Sequence, residues 1–120
     1  MWTYQQSTGE LRRDGVRVAS GYSGHDVCRN NPCRQDVPMH GPIPRGKYSI
    51  GDLRDTELHG PYVMRLHADP ANRMFGRDGF LIHGDSVGKP GAASEGCIVL
   101  ARSIRLVIGT SGDHELSVIE

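Results

Sequence analysis

Residues 80–100 constrain the fold of this chain more than any other stretch. They contain two apolar runs of strand length, residues 80–82 and 98–100, and the loop between the runs is too rich in Gly, Pro and Ser to be helical. His83 ends the first run, and Cys97 opens the second. If the two runs lie side by side in a sheet, His83 and Cys97 sit together at one end of it and the loop lines a cleft.

A cysteine beside a histidine has a definite chemical use. The pKa of a free thiol is about 8.5, and a neighbouring imidazole that takes the proton can lower that pKa by roughly one to five units. Gly96 permits a tight turn, and the backbone amides of Gly96 and Cys97 could point at the oxyanion of a tetrahedral intermediate. The sequence therefore predicts a cysteine acyl-transfer site, with a buried inert cysteine and a strand-capping His83 as the alternatives.

Two motifs in this stretch resemble the signature of the YkuD-type L,D-transpeptidases. That signature is a His-Gly pair, a Gly-rich loop and a Ser/Thr-His-Gly-Cys run; here the pair is residues 83–84 and the run, Ser-Glu-Gly-Cys, is residues 94–97. The resemblance implies that Cys97 attacks the carbonyl of meso-diaminopimelate in a peptidoglycan stem peptide. It also implies that His83 is the base and that the carbonyl of Gly84 orients the imidazole.

The motif departs from that signature at two positions. Glu95 stands where the family has histidine, and the basic residue often found two positions after the cysteine is replaced by Val99, with Arg102 the nearest substitute. Glu95 holds an ammonium group of the substrate, tunes the imidazole or is simply solvated. Ser94 is either a hydroxyl near the thiolate or an ordinary turn residue. The change at Glu95 also leaves open a peptidoglycan-binding module that has kept the fold without the chemistry.

Three other segments narrow the resemblance to L,D-transpeptidase-like antibacterial effectors exported by type VI secretion. These segments are residues 2–11, 21–24 and 41–48. The resemblance implies an immunity protein and a component of the secretion apparatus as partners. The first residues lack a secretory signal and no stretch has the length of a membrane span, so we expect synthesis in the cytoplasm and injection into the periplasm of a target bacterium. A signal removed from the sequence is the alternative.

Five further residues are candidates for binding the substrate. Tyr22 and Ser23 belong to the matching segment at residues 21–24, and Arg45 and Arg102 could bind stem-peptide carboxylates with their forked guanidinium groups. His67 lies on a predicted strand that could neighbour the strand of His83. A core or rim aromatic, a half-buried strand histidine and solvated arginines are the plainer interpretations.

The other two cysteines allow three interpretations. Cys28 and Cys33 flank a turn-forming sequence, so they either close a short disulfide that leaves Cys97 free or stay reduced. His25 and His40 flank them, and two thiolates with two imidazoles could form a tetrahedral zinc site in an interaction protein. The acyl-transfer interpretation, which we favour, needs no metal and no cofactor.

The rest of the chain predicts a mainly β fold. With 120 residues, 16 of them Gly and 7 Pro, the chain suits one domain over residues 1–120 built from short strands and turns. Strands are expected at residues 2–6, 10–13, 16–20, 47–53, 62–67, 80–82, 98–100 and 114–119. We expect an antiparallel β-sandwich or open barrel, one short helix at residues 101–108 ended by Gly109, and a flap at residues 21–46 over the cleft. Because basic and acidic side chains balance at 14 each, no face for nucleic acid is indicated.

Overall fold

The computed structural model describes residues 1–120, and its ten strands form one strongly curved sheet. The elements, in chain order, are β1 (Trp2–Gln5), β2 (Glu10–Arg13), β3 (Val16–Ser20), β4 (Tyr22–Ser23), β5 (Gly46–Ile50), β6 (Arg54–Thr56), β7 (Gly60–Ala68), β8 (Leu81–His83), β9 (Ile98–Val99), α1 (Arg102–Thr110) and β10 (Glu115–Ile119). The strand order is β3-β2-β1-β10-β5-β7-β8-β9-β4, and β6 pairs with β7. Because β3 and β4 stand at the two ends of that order and only Gly21 separates them, the sheet is nearly closed into a barrel.

The predicted fold class, mainly β with one short helix after Cys97, is confirmed. The pairing is mainly antiparallel, and the two exceptions are β1 with β10 and β8 with β9, which pair in parallel. A parallel pair needs a connection of roughly a dozen residues or more, which the loop at residues 84–97 supplies between β8 and β9. Residues 22–23 and 54–56, expected to be loop, are short additional strands.

The core fills the inner side of the sheet. Along β1 and β10 every second side chain is buried, Trp2 and Tyr4 on one strand and Leu116 and Val118 on the other, as the period of two in a strand requires. They belong to a cluster of 15 buried residues that also contains Ile82 and Ile98. Since Ile82 and Ile98 face this core, their neighbours His83 and Cys97 face the opposite side of β8 and β9.

Helix α1 covers one end of the core. Ile108 is buried in the core cluster, and Ile104 packs against it. The helix does not end at Gly109 as expected, because it continues to Thr110. A Cβ at position 109 would lie 2.2 Å from Cγ of Leu53, so this glycine serves close packing inside the helix. None of the helices has the length and apolar character that crossing a membrane requires.

Candidate active site

Cys97 and His83 line one cavity of about 740 Å³. The predicted flap contributes residues 25 and 38–40 to its wall, the turn between β6 and β7 contributes residues 58–59, and the loops before β8 and β9 contribute residues 76–80 and 92–95. Its volume is typical of a small-molecule or peptide site, for which about 300 to 1,000 Å³ is usual. The cavity is therefore large enough to admit a short peptide to the thiol.

The register of β8 and β9 brings the histidine and the cysteine together. His83 pairs with Val99 and Ile82 with Ile98, so Cys97 stands opposite Leu81, two positions from His83 on the same face. From the usual strand rise and strand spacing, the Cα atoms of Cys97 and His83 are about 8 Å apart, within reach of an imidazole and a thiol that turn towards each other. The backbone amide of Leu81 donates a hydrogen bond to Sγ of Cys97 at 3.3 Å.

His83 is held as a neutral base. Its side chain is 2% exposed, and its Nδ1 lies 2.7 Å from the carbonyl oxygen of Gly84. A proton on Nδ1 satisfies that carbonyl, which leaves the lone pair on Nε2. Burial lowers the pKa of His83 most, the hydrogen bond to Gly84 opposes this, and the charges of His59 and Arg105 lower it further. The ring is therefore unprotonated near neutral pH and able to accept a proton.

The thiol of Cys97 is protonated in the resting site. Burial raises its pKa above the ordinary value, and the nearby carboxylate of Glu95 raises it as well, while the amide of Leu81 and the charge of Arg77 act in the opposite direction. The expected lowering of the thiol pKa is wrong for this state, because burial outweighs the groups that favour a thiolate. A base would have to remove this proton before the sulfur could act as a nucleophile.

Ser94 shapes the turn before the cysteine. Its fully buried hydroxyl donates to the carbonyl of Cys97 at 2.6 Å and accepts from the amides of Gly24 at 2.9 Å and Gly96 at 3.1 Å. The hydroxyl is thus occupied by backbone groups. Because the Gly96 amide is bonded to Ser94, only the amide of Cys97 remains available from the predicted pair, since it donates to no other residue.

Arg77, which sequence analysis did not select, ties the flap to the cysteine turn. Its side chain is 8% exposed and forms no ion pair. The guanidinium donates to the carbonyls of Gln35 (2.5 Å), Pro42 (2.8 Å), Gly41 (2.9 Å) and Glu95 (3.2 Å). Gly96 makes room for it: its φ is +131°, and a Cβ there would lie 2.5 Å from Nη2 of Arg77.

His59 is a second cavity residue that was not among the candidates predicted from the sequence. Its ring stacks on that of His83, with the centroids 4.3 Å apart and the planes 21° apart. His59 lies in the turn before β7, the strand that pairs with β8. A histidine at the tip of a predicted hairpin next to the His83 strand was the available signal. His25 and His40, from the flap, also line the cavity.

Tyr22 and Ser23 lie behind the cavity wall and do not line it. The hydroxyl of Tyr22 donates to Oδ1 of Asp85 at 2.5 Å, and burial with this bond raises the pKa of Tyr22 to about 12. Ser23 is fully buried, and its hydroxyl donates to the carbonyl of Gly96 at 2.8 Å. Both residues therefore hold the loops around the cysteine, which is not the substrate contact expected of them.

The three basic substrate candidates also lie outside the cavity. Arg45 is exposed and forms an ion pair with Glu120 at 3.4 Å. The guanidinium of Arg102 lies over the ring of Tyr62, 4.6 Å from its centroid. His67 is exposed at the far end of β7 and lines two other cavities. Of the polar candidates, Glu95 does line the cavity, exposed and without an ion-pair partner.

The flap cysteines form no disulfide. Cys28 is a buried free thiol and Cys33 an exposed one. The rings of His25 and His40 are 5.8 Å apart, but no three His, Cys, Asp or Glu side chains converge as metal ligands. The structure therefore does not assemble the zinc site considered from the sequence.

A nearly closed β-barrel with a half-buried cysteine and a neutral histidine in one cavity defines a small protein with a candidate cysteine-dependent site. The sequence model of the Tlde1 domain matches residues 17–115, and the chain belongs to this family of type VI secretion effectors. Membership implies a secreted antibacterial protein with an immunity protein as partner. No curated protein was found to match the chain.

Proposed function

We propose that this protein is a cysteine acyl-transfer enzyme that acts on the stem peptides of peptidoglycan in the periplasm of a target bacterium. In this proposal residues 1–120 form one catalytic domain. The observation that carries it is the pairing of β8 and β9, which brings Cys97 and a neutral His83 to the same face in one cavity. The effector family and the resemblance of residues 83–84 and 94–97 to the L,D-transpeptidase signature support the choice of substrate.

The reaction begins with removal of the thiol proton. Nε2 of His83 takes the proton of Cys97 as Sγ attacks the carbonyl carbon on the L-centre side of the bond between the third and fourth stem residues. The carbonyl oxygen becomes an oxyanion. When the intermediate collapses, the C–N bond breaks, His83 returns its proton to the leaving amine of the D-residue, and a thioester to Cys97 remains.

The thioester then meets one of two acceptors. Water, deprotonated by His83, attacks the thioester carbonyl, and the product is a free carboxylate, which completes L,D-carboxypeptidase cleavage. The amine of a D-amino acid or of a second stem peptide attacks in the same way and yields a new amide, which completes exchange or cross-linking. In both cases the C–S bond breaks, and the Cys97 thiolate leaves and regains the proton held by His83. Glu95, exposed at the cavity and without a cationic partner, is placed to attract an ammonium group of the donor or of the acceptor.

The amide of Cys97 is the candidate oxyanion donor. It donates to no other residue in the resting site, whereas the Gly96 amide is bonded to Ser94. Loss of a single oxyanion donor typically costs about 3 to 4 kcal/mol in acyl-transfer enzymes. The rigid turn held by Ser94 therefore serves the reaction by fixing the direction of this amide.

The test is incubation with disaccharide tetrapeptide, with and without a free D-amino acid, followed by mass spectrometry. We expect tripeptide or the exchanged tetrapeptide from the wild type and from Cys33→Ser, the matched control that removes the exposed thiol. Cys97→Ala should give neither product, and His83→Ala should be slower by roughly 10²- to 10⁴-fold. Unchanged substrate with wild-type protein refutes the proposal.

A test in cells addresses the site of action. Export of the protein to the periplasm should be toxic, and the same export of Cys97→Ala should be harmless. Toxicity that is equal with both proteins, or that arises only in the cytoplasm, contradicts a cysteine-dependent attack on the cell wall.

A binding module of the same fold is the second candidate, because the thiol pKa is raised and Glu95 replaces the histidine of the signature. A cysteine-directed alkylating probe separates the two. In an enzyme, Cys97 should react in a way that depends on His83. In a binding module, Cys97 should react no faster than Cys33, and His83→Ala should change nothing.

A further inference from the structure

The turn between β6 and β7 places one side chain directly on the base. The ring of His59 lies 4.3 Å from that of His83, centroid to centroid, with only 21° between the planes. The turn itself is fixed: the His59 amide donates to Oγ1 of Thr56 at 2.9 Å, and Gly60 supplies a positive φ of +76°. The backbone that carries the His59 ring is therefore held in place by the turn.

The stacked ring adds a restraint on the orientation of the His83 ring. The hydrogen bond from Nδ1 of His83 to Gly84 anchors one edge of the ring. The outer torsion of a histidine is broad, so one anchored edge still allows the ring to tilt. A second ring packed flat against it removes that freedom and covers one face from water.

We propose that His59 is a positioning residue that holds the His83 ring with Nε2 directed at Cys97. This inference deepens the proposed function and rests on it for the reaction that His83 performs. His59 touches neither the thiol nor the leaving group in this account, and it acts only through His83.

A charge on His59 adds a second effect. Three ionisable side chains act on His83: His59 and Arg105 disfavour its protonation and Asp85 favours it, while burial contributes most. The charge of His59 lowers the pKa of His83, and this keeps Nε2 available at lower pH. A neutral aromatic ring in its place keeps the packing and removes this charge.

Two substitutions separate packing from charge, and His67→Ala is the control because His67 is exposed on β7 outside this cavity. His59→Ala should lower kcat on the tetrapeptide about tenfold or more with KM changed little, since small misplacements of a catalytic group are costly. His59→Phe should restore most of kcat and move the acid limb of the pH profile to higher pH. His67→Ala should match the wild type.

The pH dependence of Cys97 alkylation is measured on the same variants, so that the inference does not depend on the substrate chosen. If the tetrapeptide is not turned over but His59→Ala and His83→Ala both slow alkylation, the substrate is wrong and the role of His59 stands. If His59→Ala and His59→Phe alkylate with the rate and pH dependence of the wild type, the role of His59 is refuted. The role of His59 is also refuted if His59→Ala and His59→Phe lose the same alkylation rate, the acid limb of the pH profile does not move and the midpoint of thermal unfolding falls. Such a result would describe a merely structural contact.

Discussion

Replacing Arg77 by methionine tests how the cysteine turn is supported. Methionine keeps an unbranched apolar stem, but it removes the guanidinium that lies over the ring of Phe80 and donates to four backbone carbonyls. The bonds to Gly41 and Pro42 are buried, whereas water can reach the other two carbonyls after the change. A buried acceptor left without a partner costs about 1 to 3 kcal/mol, so two of them predict a loss of about 3 kcal/mol in the free energy of unfolding.

Urea unfolding followed by fluorescence of Trp2 measures this loss. Arg45→Met is the matched control, because Arg45 is exposed and its ion pair with Glu120 is worth less than about 1 kcal/mol. Arg77→Lys should fall between wild type and Arg77→Met, since an ammonium group keeps the charge but cannot reach all four carbonyls with its compact head.

Arg77→Met should also slow alkylation of Cys97. The guanidinium that lowers the pKa of the thiol is gone, and its hydrogen bond to the carbonyl of Glu95 is lost. A stability within about 1 kcal/mol of the wild type, together with unchanged alkylation, would show that water or loop rearrangement replaces the guanidinium. The account of Arg77 as the link between flap and cysteine turn would then be wrong.

Three further predictions concern the same site. Gly96→Ala should destabilise the fold by about 2 kcal/mol or more in urea unfolding, because φ is +131° and the added Cβ meets Arg77. Tyr22→Phe should cost about 1 kcal/mol at neutral pH. Burial acts to raise the pKa of Asp85, but hydrogen bonds from Tyr22 and backbone amides lower it. The stability difference between the wild type and Tyr22→Phe should therefore shrink as the pH falls below about 4, towards and through the lowered pKa. Alkylation of Cys97 followed against pH should have its midpoint above the ordinary thiol range, because burial raises its pKa; a midpoint below that range contradicts the resting thiol.

The sequence determined the features that depend on neighbours along the chain. Alternating burial in β1 and β10, two short apolar runs and abundant Gly and Pro are local signals, and they suffice for a mainly β fold. The bond from His83 to the carbonyl of Gly84 is likewise made between adjacent residues, so a motif could anticipate it. The adjacency of the His83 and Cys97 strands followed from the motif and a loop long enough to let them pair.

Only the tertiary structure decided what depends on residues far apart in the chain. The parallel register of β8 and β9, the stacking of His59 on His83 and the four carbonyls around Arg77 are contacts between separate loops and strands. Arg45 and Arg102 carry the charge that binds carboxylates but lie outside the cavity, because their positions follow the path of the chain around the barrel. The protonation of Cys97 was decided in the same way, since burial is a property of the folded surroundings and it outweighs the local groups that favour a thiolate.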